Sequence, residues 1–146
     1  MVYKDFHYER LELEKSKSIL NKIISDFKNA VSAKKQIDAI KEVDSFSREY
    51  MTYQAMASLN YSRDINDDSA KNEKDYYDSI SPDMIEVFDR FDKALHQSNF
   101  KSEIVDMFGE TFLNQIEINL KTFDSKIKDM LKEEIKLKND YTKLTA

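Results

Sequence analysis

The run Tyr50-Met-Thr-Tyr-Gln-Ala-Met-Ala-Ser-Leu-Asn-Tyr-Ser-Arg-Asp-Ile-Asn-Asp-Asp-Ser69 decides the fold, together with Tyr76-Tyr-Asp-Ser-Ile-Ser-Pro-Asp-Met-Ile-Glu-Val-Phe-Asp-Arg-Phe-Asp-Lys-Ala-Leu95 after a charged stretch. In the first part Met51, Tyr53, Met56, Ala57, Leu59 and Tyr61 spread over more than half of a helix circumference. A helix apolar over so much of its surface is expected to be buried on more than one side. Arg63 to Ser69 is rich in Asp, Asn and Ser, which favour turns and caps. Tyr77, Ile80, Met84, Val87/Phe88, Phe91 and Leu95 then recur every three or four residues, one face of a returning helix. The stretch therefore predicts a long helical hairpin around which the rest of the chain packs.

The hairpin extends backwards. Ile37, Ile40, Val43, Phe46, Tyr50, Tyr53, Ala57 and Tyr61 form one stripe, predicting a helix from about Lys35 to Arg63. At 1.5 Å per residue it would be roughly 40 Å long and needs partners along its length. Before it, Leu13, Leu20, Ile23/Ile24, Phe27 and Ala30/Val31 predict a first helix beginning near Glu9 and fading near Ser32 to Lys35. Glu9, Glu12 and Glu14 suit the positive end of its dipole. Val2 to Tyr8, with Tyr3, Phe6 and Tyr8, reads as an extended lead-in or short strand.

On the returning side, Pro82 can occupy a first helical position with Ser81 as N-cap. That predicts two helices, Asp68 to Ser79 and Pro82 to His96, nearly in line across a kink. A further stripe, Val105, Phe108, Phe112, Ile116 and Leu120, contains Gly109, a candidate kink or break. A last helix, capped by Asp124 or Ser125, carries Ile127, Met130/Leu131, Ile135, Leu137, Tyr141 and Leu144. No stop signal follows it, so the chain reads as severed. Leu131, Ile135, Leu137 and Leu144 do not share one stripe, which predicts an apolar patch open to a missing domain or to self-association. The fold class is all-α: an array of about five to six long, mostly antiparallel helices in a single domain spanning residues 1–146.

Bulk properties agree. One Gly and one Pro in 146 residues point to an almost wholly helical chain. Net charge −5 argues against electrostatic binding to nucleic acid or anionic membranes. There is no cysteine, hence no disulfide or thiolate metal site. No signal-peptide pattern opens the sequence, and no apolar run reaches the ~20 residues of a membrane span. The expected setting is the cytoplasm.

Chemistry-bearing motifs are sparse. The two histidines are His7 and His96; Asp92 precedes His96 by one helical turn, but a zinc site needs about four ligands and the others are missing. Neither histidine follows a Glu at the spacing of a di-iron bundle. There is no phosphate-binding glycine loop and no ordered Ser/His/Asp triad. The acidic Asp64–Ser69 segment lacks the Gly and closing Glu of a calcium loop and reads as a solvated turn. Tyr50, Tyr53, Tyr61, Tyr76 and Tyr77 could line a peptide groove, since tyrosine offers amphipathic contact at low entropic cost. The plainer reading, which position favours, is a hairpin core with hydroxyls at its rim.

A resemblance carries further. Ala57-Ser-Leu-Asn-Tyr-Ser-Arg-Asp-Ile-Asn-Asp, Tyr76-Tyr-Asp-Ser-Ile-Ser-Pro and Phe91-Asp-Lys-Ala-Leu, in this order, resemble the N-terminal region of oligoendopeptidase F. The likeness continues through Phe108-Gly-Glu-Thr-Phe, Leu120-Lys-Thr-Phe and Leu137-Lys-Asn-Asp-Tyr-Thr-Lys-Leu, from about Tyr3 onward. That family comprises M3-type, thimet-oligopeptidase-like zinc metallopeptidases, hydrolases that cleave short peptides inside a helical-walled channel. Its zinc motif, His-Glu-x-x-His, does not occur in this sequence. The resemblance thus implies a non-catalytic N-terminal domain that forms part of the channel wall or its support. It implies no catalytic residue, cofactor or metal ligand on this chain, with zinc confined to an absent catalytic domain. The expected partners are that domain or a second copy, and oligopeptides; nucleic acid and membrane are not expected. The alternative is a stand-alone helical module that binds a partner helix or peptide.

Overall fold

The computed structural model describes residues 10–122 and 125–145, without the side chains of 125–129, 131 and 145. The expectations for Val2 to Tyr8, His7 and Asp124 fall outside these residues. Six helices follow one another: α1 (Leu13–Asn29), α2 (Ala33–Arg63), α3 (Asp68–His96), α4 (Lys101–Phe108), α5 (Glu110–Thr122) and α6 (Ser125–Thr145). Among the described residues there is no strand. The chain is all-α.

The α2–α3 hairpin is the centre, as its apolar periodicity dictates. α3 packs against α1, α2, α5 and α6, and α4 bridges α5 and α2. The core stripes are those of the sequence: Leu20, Ile23, Ile24 and Phe27 on α1, Ile40, Val43, Tyr50 and Ala57 on α2, and Tyr77, Ile80, Met84, Val87, Phe91 and Leu95 on α3. The Phe27 and Phe91 rings meet edge to face at 5.3 Å and fasten α1 to α3. α5 and α6 both run antiparallel to α3. His96 approaches Glu117 of α5, while α6 lays Asn139 against Lys74 and Asp78 and Lys132 against Asp83.

The polar reversal is built from its own carboxylates. Asp64 Oδ1 accepts from the Asn66 amide at 3.0 Å. Asp67 caps α3, accepting from Ser69 and Ala70. Such a cap satisfies amides that have no partner within the helix. Ser32 caps α2 through the Lys35 amide. α1 starts at Leu13 rather than near Glu9, since Glu12 is still extended and makes no side-chain cap.

Three local expectations need correction. Pro82 does not divide α3: the helix runs unbroken from Asp68 to His96 and Pro82 is fully buried within it. The helical cost of proline, ~3 kcal/mol, is outweighed because one apolar stripe continues from Tyr77 through Ile80 to Met84 and Val87. Ser81 is consequently a mid-helix residue and caps nothing. Met51 and Leu59 are 62% and 53% exposed, so the end of α2 is not enclosed on several sides. Only the faces of α2 toward α1, α3 and α4 find partners. Val31 lies beyond α1 and is 81% exposed.

Gly109 makes a full break. Its φ of 90° and ψ of 161° belong to a region open essentially to glycine alone. The break keeps Phe108 and Phe112 in ring contact at 5.0 Å while redirecting α5 along α3.

Candidate functional site

The five candidate tyrosines separate by helix phase. Tyr77 is 1% exposed and lies against Tyr50 (ring centroids 6.3 Å) and Tyr76 (5.4 Å). Tyr61 is buried at the far end of the hairpin, with the Lys74 ammonium 5.6 Å from its ring centre. Tyr53, half-buried, bonds through its hydroxyl to Glu49 at 3.2 Å and faces the start of α1. Tyr76 donates its hydroxyl to the Leu11 carbonyl, with the Arg10 guanidinium stacked 4.4 Å from its ring. Arg10 in turn pairs with Glu73. Cation–π stacking and this ion pair tie the entry of α1 to α3.

Tyr50 alone of the five borders an apolar cleft, a cavity of about 500 Å³ between α2, α3 and α5. Its walls are Ile40, Val43, Phe88, Phe91, Leu95, Phe112 and Ile116; Met51 and Ile85 stand at its border. The polar groups around it are Asp44, Ser47, Gln54, Ser81, Asp92, Gln115 and Asn119. Tyr50 is 5% exposed and its hydroxyl is buried without a hydrogen-bond partner. Burial pushes the pKa of this phenol above its ordinary value; Ser81 lies close enough to oppose the shift without completing a bond. Asp92 is pushed up to about 6, chiefly by burial and further by neighbouring Asp89, with Asn119 acting the other way. Desolvation favours the neutral carboxyl. The sequence signal for Asp92 was its position one turn before His96, but the two do not converge on a shared site. His96 instead faces Glu117, 3.5 Å away.

Among the described residues no group of three or more His, Asp or Glu could hold a metal. Asp64 and Asp67 accept from amides of the loop and of the first turn of α3, which leaves Asp64–Ser69 a turn.

The sequence matches the model of the peptidase M3 N-terminal domain over residues 3–123. The chain belongs to this family. No curated protein matches it. Solved structures do. A crystal structure assigned as oligoendopeptidase F superposes with a TM-score of 0.90 at 29% identity, covering 99% of this chain and 26% of the other. PZ peptidase A with an inhibitor gives 0.90 at 30% identity, covering 97% and 25%. A protein assigned as oligoendopeptidase F from Bacillus anthracis gives 0.89 at 26% identity, covering 96% and 26%. The M3 N-terminal chain thus spans about a quarter of the length of the solved relatives it matches. Among the described residues no helix is long and apolar enough to cross a membrane.

Proposed function

We propose that this chain serves as the non-catalytic N-terminal helical domain of an oligoendopeptidase F-like zinc metallopeptidase in the cytoplasm, forming part of the wall or support of the peptide channel. The reading draws on the family membership and on one observation at α6. Met130, Leu137 and Leu144 are 67%, 68% and 84% exposed. They follow one another at seven-residue spacing, about half a turn away from Lys132, Ile135 and Asn139 by the 3.6-residue period. The latter face carries the bonds to α3. Among the described side chains α6 is therefore held to α3 by polar bonds beside the half-buried Ile135 and turns an apolar stripe outward, the reverse of a surface helix in a self-contained bundle. Such a stripe suits a neighbouring peptidase domain, or in its absence a second copy.

Zinc would belong to the domain bearing His-Glu-x-x-His, and the chain by itself is expected to hold none and to cleave nothing. The test joins elemental analysis of the chelator-free chain to a fluorogenic peptide assay and to sedimentation over a concentration series. Expected are no stoichiometric zinc, no cleavage, and concentration-dependent association that Leu137→Ser with Leu144→Ser abolishes. One zinc per chain with chelator-sensitive cleavage overturns the non-catalytic role. A strict monomer at all concentrations removes the support drawn from α6.

A further inference from the structure

The cleft between α2, α3 and α5 is not required by a channel-wall role, and its chemistry is one-sided. Its walls are aromatic and branched aliphatic. The ionisable groups around it, Tyr50 aside, are both carboxylates, Asp44 and Asp92; no Lys or Arg lines it. Asp44 sits at the rim and is already paired with Arg48 at 3.0 Å, both largely exposed. Asp89, on the same helix as Asp92, is neutralised by Lys93 at 2.9 Å. Glu117 of α5 faces His96. Among the described residues Asp92 has no such cation, and the influence opposing its raised pKa is the neutral amide of Asn119. The floor also holds the Tyr50 hydroxyl, buried and without a hydrogen-bond partner. A concave apolar site of 300–1,000 Å³ with a few converging polar groups is the usual form of a small-molecule pocket.

We propose that this cleft binds a small amphipathic cation, an aromatic or branched aliphatic body carrying a protonated amine, with the body against Phe88, Phe91 and Phe112 and the ammonium at Asp92. Charge complementarity decides the class. A carboxylate ligand would meet two acids and no base, and a purely apolar one would cover the half-buried Asp92 without supplying a counter-ion. The walls come from three helices that pack on one core, so the body's seat exists before binding and little ordering cost opposes it. Phe88 also touches Tyr50, at 6.4 Å between ring centres, so occupancy is felt at the hairpin core.

The experiment titrates the chain with phenylbutylamine, phenylbutanol and phenylbutyrate by calorimetry and amide NMR, beside a short peptide that places Lys next to Leu. The amine is expected to saturate, to shift amides of α2, α3 and α5 around the cleft, and to bind at least about tenfold more tightly than phenylbutyrate. Asp92→Asn, its fold checked by circular dichroism, should weaken the amine about tenfold. On the unmodified chain, affinity should fall about tenfold between pH near 7.5 and pH near 5, because a carboxyl titrating at about 6 is roughly one-tenth ionised at the lower value. Equal affinity for amine and carboxylate, no saturation, or no dependence on pH overturns the proposal. Saturation by the peptide but not by phenylbutylamine overturns it too, and transfers the cleft to a protein segment.

Discussion

Replacing Phe91 by alanine tests the account of the core. The ring is 5% exposed, meets Phe27 edge to face at 5.3 Å, and joins α1 to the central hairpin. Phenylalanine-to-alanine changes in cores cost ~3–5 kcal/mol, from lost transfer free energy and from the void left behind. Phe91 also forms a wall of the open cleft. Solvent can enter the space it vacates, which places the expected loss at the lower end, about 3 kcal/mol. In a chain of this size that corresponds to a fall in Tm of roughly 6–12 °C. Urea unfolding followed by far-UV circular dichroism reads the difference directly, provided the slope of the transition is unchanged. A cycle with Phe27→Ala then isolates the ring pair, whose coupling should be about 0.5–1.5 kcal/mol. A loss below about 1 kcal/mol for Phe91→Ala would refute the placement of this ring in the core.

Asp92→Asn should stabilise the chain at neutral pH. Its folded titration near 6 lies above the ordinary carboxyl value of 3.8, so its favourable contribution is complete below that lower value and is lost as pH rises through 6. The advantage of the variant, at most about 3 kcal/mol near pH 7.5, should vanish near pH 4; an advantage independent of pH would remove burial as its cause. Gly109→Ala should cost ~1–3 kcal/mol through backbone strain alone, because a Cβ there would meet nothing within 4 Å. No loss in thermal unfolding would mean that α4 and α5 can join in a conformation alanine accepts. Asp67→Ala should cost about 1 kcal/mol for the lost cap of α3, and an unchanged urea midpoint would show the cap to be dispensable.

Periodicity carried the architecture because α1, α2 and α3 each bury one continuous stripe. Stripe and local signal conflicted at two positions, with opposite outcomes. At Pro82 the apolar positions on either side kept phase, and the helix persisted through a residue whose local chemistry says stop. At Gly109 the stripe of Val105, Phe108, Phe112, Ile116 and Leu120 also spanned the position, yet the positive φ took effect and the helix broke. Met51 and Leu59 show the opposite limit. Apolar residue types widened the predicted buried surface of α2, but only as many faces are buried as there are neighbours to bury them. Ile104, fully buried on the short helix α4, escaped the sequence reading because the break at Gly109 shifts the phase between α4 and α5.

The candidate site was legible only as a list of residue types. Five tyrosines on two adjoining helices suggested one surface, yet a difference of three residues turns a helical side chain by nearly a full turn less sixty degrees. That difference is enough to send Tyr53 toward α1 while Tyr50 faces α3. Tyr76 and Tyr77, adjacent in sequence, diverge by about 100°, one to the Leu11 carbonyl and one into the core. The cleft that Tyr50 borders needs a wall from α5, whose direction depends on the backbone at Gly109. No spacing within the hairpin could reveal it. Asp92 stood in the sequence as half of a weak metal pair; its distinctive property, a carboxylate in an apolar wall without a cation, arises only when Phe112 and Ile116 are brought across from α5.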